Sequence, residues 1–122
     1  MTTDVLDATP PTLGPGQAER IAREQYGLDA TASPLVSERD QNFRLDDTDG
    51  NAWVLKVSNA AEERGVVEME VAAVERIAAV DPGLPVPVAR PSLAGGPIAS
   101  VEVSGTTHLV RMLPLLPGRN AA

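Results

Sequence analysis

Residues 43–58, FRLDDTDGNAWVLKVS, decide the fold. Two short runs rich in apolar and β-branched residues, about 43–48 and 52–58, flank the pair Asp49-Gly50. That pair favours a tight hairpin, because glycine accepts a positive φ at no steric cost. Upstream, TASPLVS at about 31–37 reads as a third strand, which makes the three an antiparallel meander. Further back, PGQAERIAREQYGL has Pro15 at a helix start, Gly27 at its end, and Ala18, Ile21, Ala22 and Tyr26 at helical spacing. A helix is predicted over about 15–26. Downstream, EERGVVEMEVAAVERIAA at 62–79 is the clearest helix of the chain, with Glu62 and Glu63 suited to its first turn and Pro82 to its end.

The stretch DPGLPVPVARPSLAGGP, residues 81–97, holds Pro82, Pro85, Pro87, Pro91 and Pro97, so it reads as an extended connector able to spare only short edge strands. Two more strands are expected at about 98–103 and 107–113, on either side of Ser104-Gly105. The order αβββαβββ gives an α+β domain with a five- or six-stranded, mostly antiparallel sheet. The long helix is expected to pack on it through Val66, Val67, Ala73, Val74 and Ile77. Residues 1–14, with two adjacent prolines and no periodic pattern, read as a loose leader.

Composition narrows the function. The 122 residues, 43% hydrophobic and 22% charged, suit one globular domain and leave no room for two. With one Trp, one Tyr and one Phe, the core must be filled by aliphatic side chains. A net charge of -7 opposes binding to nucleic acid or to an anionic membrane surface. No apolar run is long enough to span a bilayer and the start has no signal-peptide pattern, so a cytoplasmic protein is expected. The absence of Cys and the single His exclude thiol chemistry and the common zinc sites.

Among the ten basic side chains Lys56 is the only lysine, and it stands inside the apolar run Trp53, Val54, Leu55, Lys56, Val57. Strand alternation places Val54, Lys56 and Ser58 on one face. A buried ammonium needs an anionic partner, from the protein or from a ligand. The alternative is a lysine that guards an exposed sheet edge. At about 100° per residue Glu70 falls near the middle of the apolar stripe of the long helix, which makes it the natural partner of Lys56. The alternative for Glu70 is that helix tilt brings its carboxylate to solvent at the sheet margin. Ser37, Asp40 and Asn42 in the polar turn SERDQNF are turn formers able to leave amide N–H groups pointing outward toward phosphate oxygens. His108 reads as a core or margin histidine, and Asp46, Asp47 and Asp49 as a solvated hairpin.

The strings SERDQNF (37–43), WVLKVSN (53–59), VVEMEVAAVERIA (66–78), GLPVPVARPSLAG (83–95) and HLVRMLPLLPG (108–118) follow in this order and spacing. Together they resemble the amino-terminal lobe of the aminoglycoside phosphotransferase-like family over residues 15–119. SERDQNF and VLKVSN are most similar to its hydroxylysine kinase branch, whose members also occur fused to class III aminotransferases.

The resemblance implies a kinase-like small lobe that binds ATP. Lys56 would meet the α- and β-phosphates, Glu70 would hold Lys56, Val54 would roof the adenine, and the turn with Ser37, Asp40 and Asn42 would cover the phosphates. The Pro114 carbonyl and the Leu116 N–H would form the adenine hinge. The turn lacks the Gly-rich pattern of protein kinases, as this family commonly does. The chain stops just past the hinge, with 120–122 as its end, and contains no H-x-D-x-x-x-x-N segment. The large lobe, with the catalytic Asp and the Mg ligands, is therefore expected to be absent from this chain. No catalytic residue is assigned within it, and by itself it should be inactive and prone to self-association through its exposed inter-lobe face. The full protein is expected to phosphorylate a small hydroxyl- or amino-bearing metabolite. The competing expectation is a stand-alone acidic binding or scaffold module with no catalytic role.

Overall fold

The computed structural model describes residues 13–36, 40–58, 64–103 and 105–115. The first helix, α1 (Pro15–Tyr26), starts where the Gly14 N–H donates to Gln17 Oε1 at 2.8 Å and Pro15 presets the backbone. It ends at Gly27, whose φ of 64° only glycine adopts without strain. There the N–H groups of Gly27 and Leu28 donate to the carbonyls of Arg23 and Ala22.

Three strands follow, β1 (Ala30–Leu35), β2 (Gln41–Asp47) and β3 (Ala52–Val57), close to the expected boundaries. The β2–β3 hairpin forms around Asp49-Gly50, with Gly50 at φ 87°. Asp47 staples it: Oδ1 accepts from the N–H groups of Asp49 (2.9 Å) and Asn51 (2.8 Å), and Oδ2 from Trp53 Nε1–H (3.1 Å). The Trp53 bond foremost, and the Asn51 N–H after it, hold the Asp47 carboxyl below its ordinary 3.8. One carboxylate of the acidic cluster is therefore a structural fastening.

The long helix α2 (Arg64–Val80) precedes β4 (Ala99–Val103) and β5 (Thr106–Pro114). All five strands pair antiparallel in the order β1-β2-β3-β5-β4. The connector between α2 and β4 contributes no strand, so the sheet has five strands and the order is αβββαββ. Its prolines cannot donate to a ladder. It is fastened at single points instead: the Arg90 N–H donates to the Met112 carbonyl at 2.7 Å, and the Leu93 N–H to the Gln25 carbonyl at 2.7 Å. The Arg90 guanidinium also stacks 4.9 Å from the centre of the Trp53 ring.

Strand alternation separates the two faces. Phe43, Leu45, Leu55, Val57, Val110 and Met112 are fully covered and share one face, on which α1 lies through Ala18, Ile21, Ala22 and Tyr26. Leu13 joins this core, held by Gln41 through a backbone–side-chain pair at 2.7 Å in each direction. Glu19 Oε2 accepts the N–H of Ala32 at 2.9 Å, tying α1 to the edge strand β1.

α2 packs in a different phase from the one expected. Val67 and Val71 are buried and Val74 is half-buried, whereas Val66 and Ile77 are about two-fifths exposed (39% and 44%) and Ala73 is exposed. The physical reason lies in its composition. Val, Met, Ile and Ala surround most of this helix, so periodicity permits more than one buried stripe, and tertiary contact chooses among them. The main core face of the sheet belongs to α1.

Burial of Tyr26 carries a cost that can be measured. The side chain is 1% exposed, its hydroxyl has no hydrogen-bond partner among the described residues, and burial pushes its pKa up to about 12. Tyr26→Phe is expected to leave stability unchanged or raise it by up to about 1 kcal/mol. Because the folded value lies above the ordinary 10.0, the tyrosine's contribution is intact below pH 10 and is lost as pH rises toward 12. Melting temperatures followed into the alkaline range should fall more steeply for the native protein than for Tyr26→Phe. Equal slopes would contradict this reading.

Candidate functional site

The face of the sheet opposite the α1 core carries an unusual share of polar groups. Cross-strand register aligns Asn42 on β2 with Lys56 on β3, and Lys56 with Arg111 on β5. Val54 and Leu113 form the next aligned pair on the same face. Lys56 lies on β3, the central strand, with hydrogen-bonded neighbours on both sides. The edge-guarding reading of this lysine falls on that fact, since a central strand has no free edge to protect.

The Lys56 side chain is only 25% exposed, and its Nζ stands 3.9 Å from Asp40 Oδ2. That distance is within ion-pair range but beyond a hydrogen bond. Beside it, Asn42 Oδ1 is buried without a hydrogen-bond partner among the described residues. Across the ladder Arg111 is 8% exposed, its Nη1–H donates to Glu70 Oε1 at 3.1 Å, and its Nε has no partner among the described residues. Such groups are seldom left unsatisfied in a protein interior. Lys56, a largely covered cation whose Asp40 contact lies beyond hydrogen-bond distance, suits an anionic ligand, whereas Asn42 Oδ1 is an acceptor and calls for a donor.

The expected Lys56–Glu70 pair is not formed in this structure. Glu70 pairs with Arg111, and its side chain is 56% exposed at the margin of the sheet. The shifted phase of α2 explains this: with Val67 and Val71 turned inward, Glu70 lies on the border of the buried face and meets β5 before β3.

The remaining expected residues divide by position. Asn42 is a β2 residue rather than part of a turn, with its side chain on the Lys56 face. Asp40 immediately precedes β2. Ser37 and Leu116 lie outside the described residues. Pro114 ends β5 opposite Trp53. Ladder alternation turns its carbonyl to the same outer side as that of Met112, away from β3.

His108 is buried, and its Nδ1–H donates to the Ser58 carbonyl at 2.9 Å, as a core histidine should. Arg111 is the site residue that sequence reasoning missed. The available signal was the one that found Lys56, a charged residue inside an apolar strand run, HLVRMLP. Among the described residues no group of three His, Asp or Glu side chains is placed to hold a metal ion. Nor is any helix among them long and apolar enough to cross a membrane.

No family model matches the chain. A hydroxylysine kinase of Danio rerio is 35% identical over 117 residues, a match covering 92% of this chain and 33% of that protein. The resemblance drawn from the sequence strings is thereby borne out at the hydroxylysine kinase branch. The chain spans about a third of the length of the curated relative it matches. Two solved structures share its fold at 16% identity. A microcompartment-associated aminopropanol kinase superposes with a TM-score of 0.69 over 84% of this chain and 32% of its own. The amicoumacin kinase hAmiN, in complex with AMP-PNP, Ca2+ and Ami, superposes with a TM-score of 0.70 over 88% and 32%. The fold is that of a kinase-like small lobe, as expected.

Proposed function

We propose that this chain is the nucleotide-binding small lobe of an ATP-dependent kinase that phosphorylates a small hydroxyl- or amino-bearing metabolite. One observation carries the reading: the only lysine of the chain stands on the central strand, largely covered and beyond hydrogen-bond distance of Asp40, on the sheet face that α1 leaves uncovered. The names of the similar proteins support the reaction class, for they are kinases of hydroxylysine, aminopropanol and amicoumacin. One of them was solved with a nucleotide triphosphate analogue and a divalent cation.

In this reading ATP supplies the transferable phosphoryl group. Lys56 neutralises phosphate charge, Val54 presents an apolar roof to the base, and Asp40 and Asn42, with Ser37, border the phosphates. The Pro114 carbonyl and the Leu116 N–H serve as the hinge. Glu70 orients Lys56 through a carboxylate oxygen. Mg, the group that accepts the substrate proton and the acceptor pocket belong to a large lobe outside this chain, so the chain by itself binds nucleotide weakly and transfers no phosphate. Residues 15–119 form the lobe and 1–14 its leader, and the full protein works in the cytoplasm. Val66, Met69, Ile77 and Val80 are exposed on α2, which supports self-association of the isolated chain.

The test is ADP release by the full-length protein, supplied with Mg-ATP and a panel of amino alcohols that includes hydroxylysine. Turnover with at least one acceptor and none from residues 1–122 alone is the expected result. An absence of turnover in the full-length protein with every acceptor, together with no detectable ATP binding, would favour the scaffold reading.

A further inference from the structure

We propose that Arg111 is a positioning residue for the Lys56 site. It holds Glu70, and with it α2, so that one carboxylate oxygen is committed to Arg111 and the other is presented toward Lys56. The inference rests on the reading of Lys56 as the phosphate-binding group and names how its helical partner is kept in reach.

Four observations lead to it. A guanidinium stays charged at any pH a protein survives, so an Arg that is only 8% exposed must be paired. Its ion-pair partner is Glu70 Oε1, and this is the ion pair that joins α2 to the sheet among the described residues. Glu70 is itself 56% exposed, so packing does not fix its direction, whereas the buried Arg111 can. Finally, register sets Arg111 directly across from Lys56, with Cα atoms about 5.5 Å apart in such a pair.

Two like charges that close repel, and a carboxylate shared between them relieves the repulsion. A carboxylate has the capacity for this, with two acceptor oxygens of which Arg111 takes one. Lys56 is free to exchange partners, because its contact with Asp40 at 3.9 Å is an ion pair without a hydrogen bond. Arg111 acts through Glu70 rather than on the ligand. Its side chain is almost wholly covered, and the N–H at Nη1 is already committed.

A double-mutant cycle in the full-length protein tests this. Arg111→Met, Glu70→Gln and the double variant are compared for kcat and for KM of ATP, each checked by thermal melting for an intact fold. Loss of an orienting partner is expected to lower kcat/KM by about 10- to 100-fold for each single variant. The double variant should lose no more than about threefold beyond the worse single, because both changes break the same link. Arg111→Lys keeps the charge and should recover part of the loss. If Arg111→Met does not fold, the cycle of Arg111→Lys with Glu70→Gln carries the same decision. Multiplying losses, or Arg111→Met with normal kinetics, would overturn the positioning role. Lys56→Met serves as the separate control: normal turnover there would remove the reading of the site itself, whereas an inactive Lys56→Met beside multiplying Arg111 and Glu70 losses would remove only the role of Arg111.

Discussion

Replacing Lys56 by methionine in the full-length protein is expected to lower kcat/KM at least ~100-fold, the scale on which one transition-state charge donor acts. Met matches the stem in volume, so the central strand and its neighbours should keep their packing, and the melting temperature should change little. Lys56→Arg is expected to be poor as well, since a planar fork cannot take the place of a compact ammonium. Glu70→Gln should cost less, because its amide oxygen still accepts a hydrogen bond. Steady-state kinetics with each variant, beside a thermal melt, checks the set. Near-normal turnover in Lys56→Met would remove this residue from the phosphate site.

The largest effect on stability is expected from Phe43→Ala. Phe43 has no solvent exposure and sits on β2 opposite Leu55, inside the layer that α1 covers. Truncation at such a site costs about 3–5 kcal/mol. Domains of this size are stable by about 5–15 kcal/mol, so the variant should be partly unfolded at moderate urea. The companion change, Ile77→Ala, should move stability by no more than about 0.5 kcal/mol, because this side chain is 44% exposed. Equilibrium urea unfolding of both variants decides the matter. A loss at Ile77 as large as that at Phe43 would mean that α2 packs in the phase its sequence first suggests.

Sequence reading succeeded where a local rule has one solution. The ends of α1 follow from Pro15 and Gly27, and the β2–β3 hairpin from Asp49-Gly50, because those residues constrain φ directly. Lys56 stood out because an ammonium inside an apolar strand has few cheap explanations. The phase of α2 was not legible, since Val66, Val67, Val71, Val74 and Ile77 offer two overlapping apolar stripes. Which stripe is buried is chosen by tertiary contact, which the periodicity of the helix alone does not encode. The same gap hid the Arg111–Glu70 pair. Its partners are far apart in sequence, and only the β3–β5 register brings Arg111 beside Lys56. The prolines of the connector misled in a milder way, because they allow short edge strands without requiring them.

The central claim is that Lys56 faces the phosphates of bound ATP. Because Lys56 is the only lysine in residues 1–122, acylation by an ATP acyl-phosphate probe can be located within them without ambiguity. The probe transfers its acyl group to an amine lying beside the phosphates. Peptide mass spectrometry of the labelled full-length protein should find Lys56 acylated, and excess Mg-ATP should suppress the label. An unmodified Lys56, or labelling that Mg-ATP does not reduce, would contradict the account.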